Sequence, residues 1–174
     1  METKELLEKY PFLEYSSANE KVNYYTIWDG TGWEKLWKKY LDKIFYLYDN
    51  VWNKNTKEKF SILETKEKYG SLRIYTSFVD DEKLELKANL LSKWVCSKCG
   101  KISKNFRGNK IIYRTDEYIQ YLCKHCAKKS NQRFRKIVLS RFSYTNIEKG
   151  IRTTTIFKEN NNWLEEEKVK FSIE

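Results

Sequence analysis

The chain has 174 residues, of which 40% are hydrophobic and 16% aromatic, with a single proline, six glycines and a net charge of +10. This length fits one compact domain or two small ones, and the aromatic residues supply enough apolar bulk for a core. The composition argues against a disordered chain, and no stretch approaches the roughly 20 apolar residues that span a bilayer.

The N-terminal part predicts helical and aromatic elements. Residues 1–10 are interpreted as a short amphipathic helix that Pro11 limits, and Tyr24–Trp28 as a short strand. Thr31 and Glu34 form a capping-box pattern, in which a hydroxyl and a carboxylate satisfy free backbone N–H groups at a helix start.

The clearest helix follows this cap. Apolar residues recur at three- and four-residue steps from Trp33 to Trp52, and lysines occupy the opposite face. Such an aromatic stripe is more often core than a base-stacking surface, so we expect it to be buried.

A β-hairpin and a second helix are predicted next. After a loop at residues 53–56, two strands are expected at residues 60–65 and 72–78, with Gly70 at a turn position that requires positive φ. A helix should then run from the acidic pair at residues 80–81 to about residue 94. Its inward face should carry Leu84, Ala88, Leu91 and Val95. Residues 1–94 are therefore predicted as an α+β layer with an aromatic core.

All four cysteines of the chain lie in two CxxC pairs, Cys96/Cys99 and Cys123/Cys126, and Gly100 follows the first pair. This is the ligand pattern of a four-thiolate zinc site. Four thiolates complete a tetrahedral shell and leave no position for water, so the ion should be structural and not catalytic.

Other uses of the cysteines stay open. A charged start without an apolar leader predicts an intracellular, cytoplasmic protein, where disulfides are rare. Thiolate spacing alone does not exclude iron, and a redox pair would need a βαβ context. His125, the single histidine, should point away from the metal, and Ala127 after the last cysteine excludes a haem-attachment motif.

The segment around the cysteines predicts a zinc module at residues 95–142. It comprises a zinc knuckle, a hairpin at residues 111–122 and a helix at residues 123–142, with the second cysteine pair in its first turn. This order favours a treble clef over a zinc ribbon, because no glycine follows Cys126. The inner face of the helix should carry Phe134 and Val138.

Basic charge is concentrated in the same segment. Residues 93–141 hold fourteen Lys/Arg and two acids, a net charge of +12, whereas the remainder carries −2. Such a patch favours a polyanionic partner, either nucleic acid or a host nucleoprotein. The candidate binding residues are Arg107, Lys110, Arg114, Lys124, Lys128, Lys129, Arg133, Arg135 and Lys136.

The C-terminal part, residues 143–174, predicts a short β-hairpin. Its strands are expected at residues 151–157 and 169–173. The predicted fold class is therefore α+β: a helix–hairpin–helix layer, a four-cysteine treble-clef or zinc-ribbon module, and a C-terminal hairpin.

Several motifs follow one another along the chain. Gly32-Trp33 opens the aromatic helix, KEKYGSLRIY occupies residues 66–75, and CxxCG and LCxxCA surround the cysteines. Residues 30–128 thereby resemble a group of uncharacterised bacteriophage and prophage proteins. The resemblance implies a zinc-bearing fold and a mobile-element setting, but no reaction. The chain departs from the group in lacking a glycine-tryptophan pair before the second cysteine pair, and residues 131–174 are not covered.

The sequence favours binding over catalysis. It contains no phosphate-binding glycine loop, no serine elbow and no histidine-based nuclease motif. We expect a non-enzymatic zinc protein without a membrane or small-molecule partner. The alternatives are an anti-defence protein, for example a CRISPR inhibitor, that binds a host protein, and a carboxylate-dependent nuclease. The nuclease would use Asp29, Glu64 or Glu67 together with Lys66 or Lys68.

Overall fold

The computed structural model describes residues 5, 8–15, 31–78, 83–160 and 163–173, and it is a mixed α+β fold with small antiparallel sheets, as predicted. The described helices are α1 (Phe12–Tyr15), α2 (Glu34–Asn50), α3 (Lys54–Lys59), α4 (Leu84–Ser92) and α5 (Lys124–Lys129). The strands are β1 (Ile62–Lys68), β2 (Ser71–Thr76), β3 (Ser103–Lys104), β4 (Lys110–Thr115), β5 (Tyr121–Leu122), β6 (Phe134–Leu139), β7 (Phe142–Glu148), β8 (Ile151–Asn160) and β9 (Trp163–Ile173). None of the described helices is long and apolar enough to cross a membrane.

Some predicted features lie outside the described residues. They are most of the N-terminal helix, the strand at Tyr24–Trp28, Asp29 and the acidic pair at 80–81.

Within the described part, the predicted loop at residues 53–56 forms the start of α3. Asn53 caps this helix, because its side-chain carbonyl accepts a hydrogen bond from the Thr56 N–H at 3.0 Å.

Helix α2 confirms that the aromatic stripe is core. Its buried residues are Leu36, Trp37, Tyr40, Leu41 and Ile44. The N-cap position, however, is Trp33 and not the predicted Thr31, and the N-cap residue makes no side-chain cap hydrogen bond. The Thr31 hydroxyl accepts from the Trp33 N–H at 3.3 Å, and the Glu34 carboxylate pairs with Lys38 one turn later.

Strands β1 and β2 form an antiparallel hairpin that packs on α4. Tyr69 and Gly70 make its two-residue turn with φ of 52° and 76°, which confirms the predicted role of the glycine. A two-residue turn with positive φ at both positions matches the twist of the flanking strands. The pairing of β1 with β2 therefore extends closer to the turn than the predicted strand bounds. Leu72 is buried, and its N–H donates to the Ser92 Oγ of α4 at 2.9 Å. The predicted inward face of α4 is buried as well.

Strand β4 lies at the centre of the sheet that follows the first cysteine pair. It pairs with β3 and β5 along one edge and with β6 along the other, and every pairing is antiparallel. The β4–β6 ladder runs from Lys110 opposite Leu139 to Thr115 opposite Phe134. Because only β4 pairs with it in this sheet, β6 is an edge strand.

The predicted helix over residues 123–142 is wrong beyond residue 129. Asn131 adopts a left-handed φ of 53°, which ends the helical path, and residues 134–139 form β6 instead. Phe134 and Val138, predicted to face inward, are 36% and 48% exposed. Aromatic and β-branched residues suit the pleated strand that pairs with β4.

The C-terminal residues form a three-stranded meander rather than a single hairpin. The predicted pairing of residues 151–157 with 169–173 is confirmed as part of the longer β8–β9 ladder, and β7 pairs along the other edge of β8. Phe142, Phe157 and Trp163 are buried in the same hydrophobic cluster as the aromatic face of α2. This sheet therefore contributes to the main core.

Lys110, predicted as a partner-binding residue, is instead buried. Its side chain is 4% exposed, and its Nζ lies 2.9 Å from the Glu159 Oε1 of β8. A desolvated ammonium needs a close counter-charge, so this ion pair links the two larger sheets.

We expect Glu159→Gln to reduce the free energy of unfolding by about 2–3 kcal/mol, because it leaves a buried ammonium without a counter-charge. Lys110→Met, which removes the charge and keeps the apolar stem, should be less destabilising. Urea denaturation of both variants measures the difference. Equal or reversed losses would show that the pair does not hold a desolvated charge.

Candidate metal centre

The four cysteine sulfur atoms converge on one point. All four Sγ atoms lie within 4.8 Å of one another, and all four cysteines are free thiols. Cys96, Cys123 and Cys126 are buried, while Cys99 is exposed. The fold therefore brings together the predicted ligand set from two cysteine pairs whose members are 24 or more positions apart in the chain.

The sulfur spacing fits a tetrahedral metal ion. Sulfur atoms about 2.3 Å from a tetrahedral zinc lie about 3.8 Å from one another. The Cys99 and Cys123 Sγ atoms are 3.7 Å apart. Four thiolates at this spacing would complete the coordination shell, so the site can hold one structural ion and has no position left for substrate or water.

The first cysteine pair forms a tight knuckle. The Gly100 N–H donates to the Cys96 carbonyl at 2.8 Å, and Gly100 has a φ of 72°, a conformation that favours glycine. Backbone N–H groups of Cys123, Cys99 and Lys98 act to lower the pKa of the Cys96 thiol, against the effect of burial. Partial positive charge beside the sulfur would favour the thiolate that a metal ion binds.

The second pair lies at the start of α5. Cys123 is the N-cap residue in an extended conformation, and the Ala127 N–H donates to its carbonyl at 2.9 Å. Cys126 therefore lies in the first helical turn. Leu122 and Ala127 are buried beside the sulfur atoms. His125 between the pair is exposed and does not belong to the cluster, as predicted.

The thiols resist simultaneous ionisation. Burial raises the pKa of Cys96, and burial together with hydrogen bonds to the other three thiols raises the pKa of Cys126. Burial also opposes ionisation of Cys123, but hydrogen bonds from the Cys126 N–H and the other thiols lower its pKa overall. Loading a divalent cation would supply the missing counter-charge and release these protons.

The knuckle is supported by the segment before α2. The Gly32 N–H donates to the Ser97 carbonyl at 2.9 Å, and the Trp33 Nε1 donates to the Ser92 carbonyl at 3.1 Å. A Cβ at Gly32 would lie 1.9 Å from the Cys96 carbonyl oxygen. The two backbones are therefore in direct contact. From the sequence, Gly32 is identified only as part of the Gly32-Trp33 motif that opens the aromatic helix, and this contact is not predicted.

The turn of the β1–β2 hairpin reaches the same region. Glu67 accepts from the Gly70 N–H at 2.6 Å and from the Tyr118 hydroxyl at 2.6 Å, and this hydrogen bond raises the pKa of Tyr118. Glu64 forms an ion pair with Lys66 at 2.7 Å. Glu64 and Glu67 are three residues apart in β1, so they point to opposite faces and do not form a paired carboxylate site.

The candidate binding residues differ in availability. Lys110 is buried, and the partly buried Arg114 lies 3.7 Å from Asp116. The other seven are exposed and make no ion pair with a residue that the structure describes. We call these seven the basic surface: Arg107, Lys124, Lys128, Lys129, Arg133, Arg135 and Lys136.

Part of the basic surface lies on one side of the β4 sheet. Tyr113 packs against the buried cysteine cluster that contains Ala127, and it is paired with Lys136 across the β4–β6 ladder. Cross-strand partners point to the same face. Lys136 therefore shares this face with α5, whose last turn carries Lys128 and Lys129.

Comparison with protein-family models, curated protein sequences and solved structures finds no match to this chain. The resemblance to bacteriophage proteins therefore remains a prediction, and function has to be argued from the site itself.

Proposed function

We propose that this chain is a non-enzymatic, zinc-stabilised binding protein of phage or mobile-element origin, whose basic surface contacts nucleic acid or a nucleoprotein. The observation that carries the proposal is the basic surface itself. Seven exposed cations without ion pairs to described residues lie in the same segment as a four-cysteine cluster, and this segment contains only two acids.

Zinc is the proposed ion because it prefers a closed tetrahedral shell of thiolates, and the sulfur spacing agrees with its bond length. The order of knuckle, β3–β4 hairpin and helix with two ligands in its first turn supports a treble-clef arrangement. Metal analysis of protein purified without added metal tests this assignment. One equivalent of zinc is expected, and iron in its place would contradict it.

The dimensions of the basic surface suit a polyanion. The β4–β6 ladder is six residues long and therefore spans about 17 Å, at about 3.4 Å per residue. Arg107 lies beyond one end of the ladder and Arg133 beyond the other, so basic residues occur along its full length and could contact several phosphates of an extended strand.

Binding of labelled DNA and RNA across a salt series tests the function. Replacing Lys128, Lys129, Arg133 and Arg135 with glutamine should weaken binding and flatten the slope of log affinity against log salt by about three units. The physical reason is that four fewer cations release four fewer counterions.

A matched variant controls for net charge. It replaces four lysines remote from the cysteines along the chain, Lys43, Lys54, Lys57 and Lys59. The slope of this control should stay close to that of the unmodified chain. Equal losses in both variants would indicate non-specific attraction. No binding near physiological salt would contradict the nucleic-acid proposal and favour docking to a host protein.

A further inference from the structure

Phe106 is the most exposed large hydrophobic residue in the part of the chain that the structure describes. Its side chain is 92% exposed, against 68% for the next, Tyr69. It lies in the loop between β3 and β4, residues 105–109. Single exposed apolar residues are common in folded proteins. The exposure of Phe106 is therefore informative only if the loop itself holds the ring outward.

The loop holds Phe106 outward through a closed set of hydrogen bonds. The Asn105 side-chain carbonyl accepts from the N–H groups of Arg107 and Asn109, both at 2.9 Å. The Asn105 N–H donates to the Asn109 carbonyl at 2.9 Å, and the Gly108 N–H donates to the Asn105 carbonyl at 3.0 Å. Because these bonds fix the turn, Phe106 is presented in an ordered conformation before any partner arrives.

The surroundings of the ring are cationic. The Arg107 guanidinium carbon lies 5.2 Å from the Phe106 ring centroid, and Lys104 at the base of the loop is exposed. No acid occurs between residues 93 and 115.

Gly108 and Asn109 also line a polar cavity of about 250 Å³. Its charged lining residues are Lys110, Arg141, Lys158, Glu159 and Glu167.

We propose that Phe106 stacks on an unpaired base of single-stranded nucleic acid, while Arg107 contacts an adjacent phosphate. This inference rests on the proposed function and specifies its ligand. A neutral aromatic ring beside cations matches a base beside its phosphates, whereas an apolar protein pocket would not need the surrounding charge. The bases of a duplex are stacked on one another and are not available to the ring.

The test compares two single strands of about 16 nucleotides, an oligo-dT and an abasic strand with the same number of phosphates. Phe106→Ala should bind oligo-dT about 5- to 100-fold more weakly, because stacking is lost. Its affinity for the abasic strand should be unchanged, and Phe106→Trp should restore oligo-dT binding. Asn105→Ala, which loosens the loop and keeps the ring, should cause a smaller loss for oligo-dT alone.

The outcomes separate this inference from the proposed function. If the unmodified chain binds both strands equally with a steep salt slope, and Phe106→Ala changes neither affinity, the stacking role is wrong while the basic surface stands. If the unmodified chain binds neither strand but binds duplex DNA or RNA in the salt series, the stacking role is wrong and the basic surface stands. If it binds no nucleic acid at all, the nucleic-acid proposal fails as well. Since Phe106 contributes almost nothing to the core, circular dichroism should report the same fold for all variants.

Discussion

Replacing Cys126 with serine should release the metal and unfold residues 95–142, while the layer of α2, β1, β2 and α4 survives in part. Cys126 is buried and completes the four-sulfur cluster. Structural zinc sites contribute roughly 10–16 kcal/mol of binding free energy in zinc-finger peptides, and that energy is coupled to folding. A hydroxyl cannot replace a thiolate ligand, so metal affinity should fall by more than about 100-fold.

Zinc release to a colorimetric chelator and thermal unfolding followed by circular dichroism measure this effect. His125→Ala is the matched control, because His125 is adjacent in the chain, exposed and outside the cluster. It should retain one equivalent of zinc and the melting temperature of the unmodified chain. A Cys126→Ser protein with full metal content and unchanged unfolding would refute a structural role for the site.

Gly32→Ala should be among the most destabilising substitutions in the chain that leave the cysteines intact. The added Cβ would lie 1.9 Å from the Cys96 carbonyl oxygen, 2.6 Å from the Gly100 nitrogen and 2.8 Å from the Ser97 carbonyl carbon. All three are backbone atoms of the knuckle and cannot rotate away. We expect a loss of roughly 3 kcal/mol in the free energy of unfolding.

The same change should weaken metal binding, because the knuckle has to move away from Gly32 and its two sulfur atoms then shift relative to the second cysteine pair. Gly108→Ala separates crowding from backbone strain. A Cβ there meets nothing within 4 Å, and only its φ of 77° opposes alanine. That control should lose about 1 kcal/mol and keep its metal affinity. Equal losses for both glycines in urea denaturation would contradict the proposed contact.

The features that sequence analysis predicted correctly depend on short-range patterns. The spacing of the two CxxC pairs identified a ligand set whose sulfur atoms do converge. The three- and four-residue periodicity of α2 identified a buried aromatic face, and Gly70 marked the turn of the β1–β2 hairpin. In each case the signal lies in the spacing of a few neighbouring residues, although the two cysteine pairs belong to different elements that only the fold brings together.

Residues 130–142 show where such patterns fail. Basic residues alternate there with a few apolar ones, and neither a helical nor a strand period dominates. The choice of strand for residues 134–139 is made by pairing with β4, whose residues lie 19 to 29 positions earlier in the chain than their partners. Because a ladder depends on its partner more than on intrinsic preference, sequence alone predicted a helix that the fold does not form.

By itself, the sequence determined the metal ligands, the aromatic core helix and the concentration of positive charge around the cysteines. Only the tertiary structure decided which cations are available. It buried Lys110 against Glu159, left the basic surface without ion pairs to the described residues and placed Phe106 at the end of an ordered loop. It also brought Gly32 against the knuckle. These are contacts between residues distant in the chain, and burial and pairing of this kind depend on the complete fold and not on local spacing.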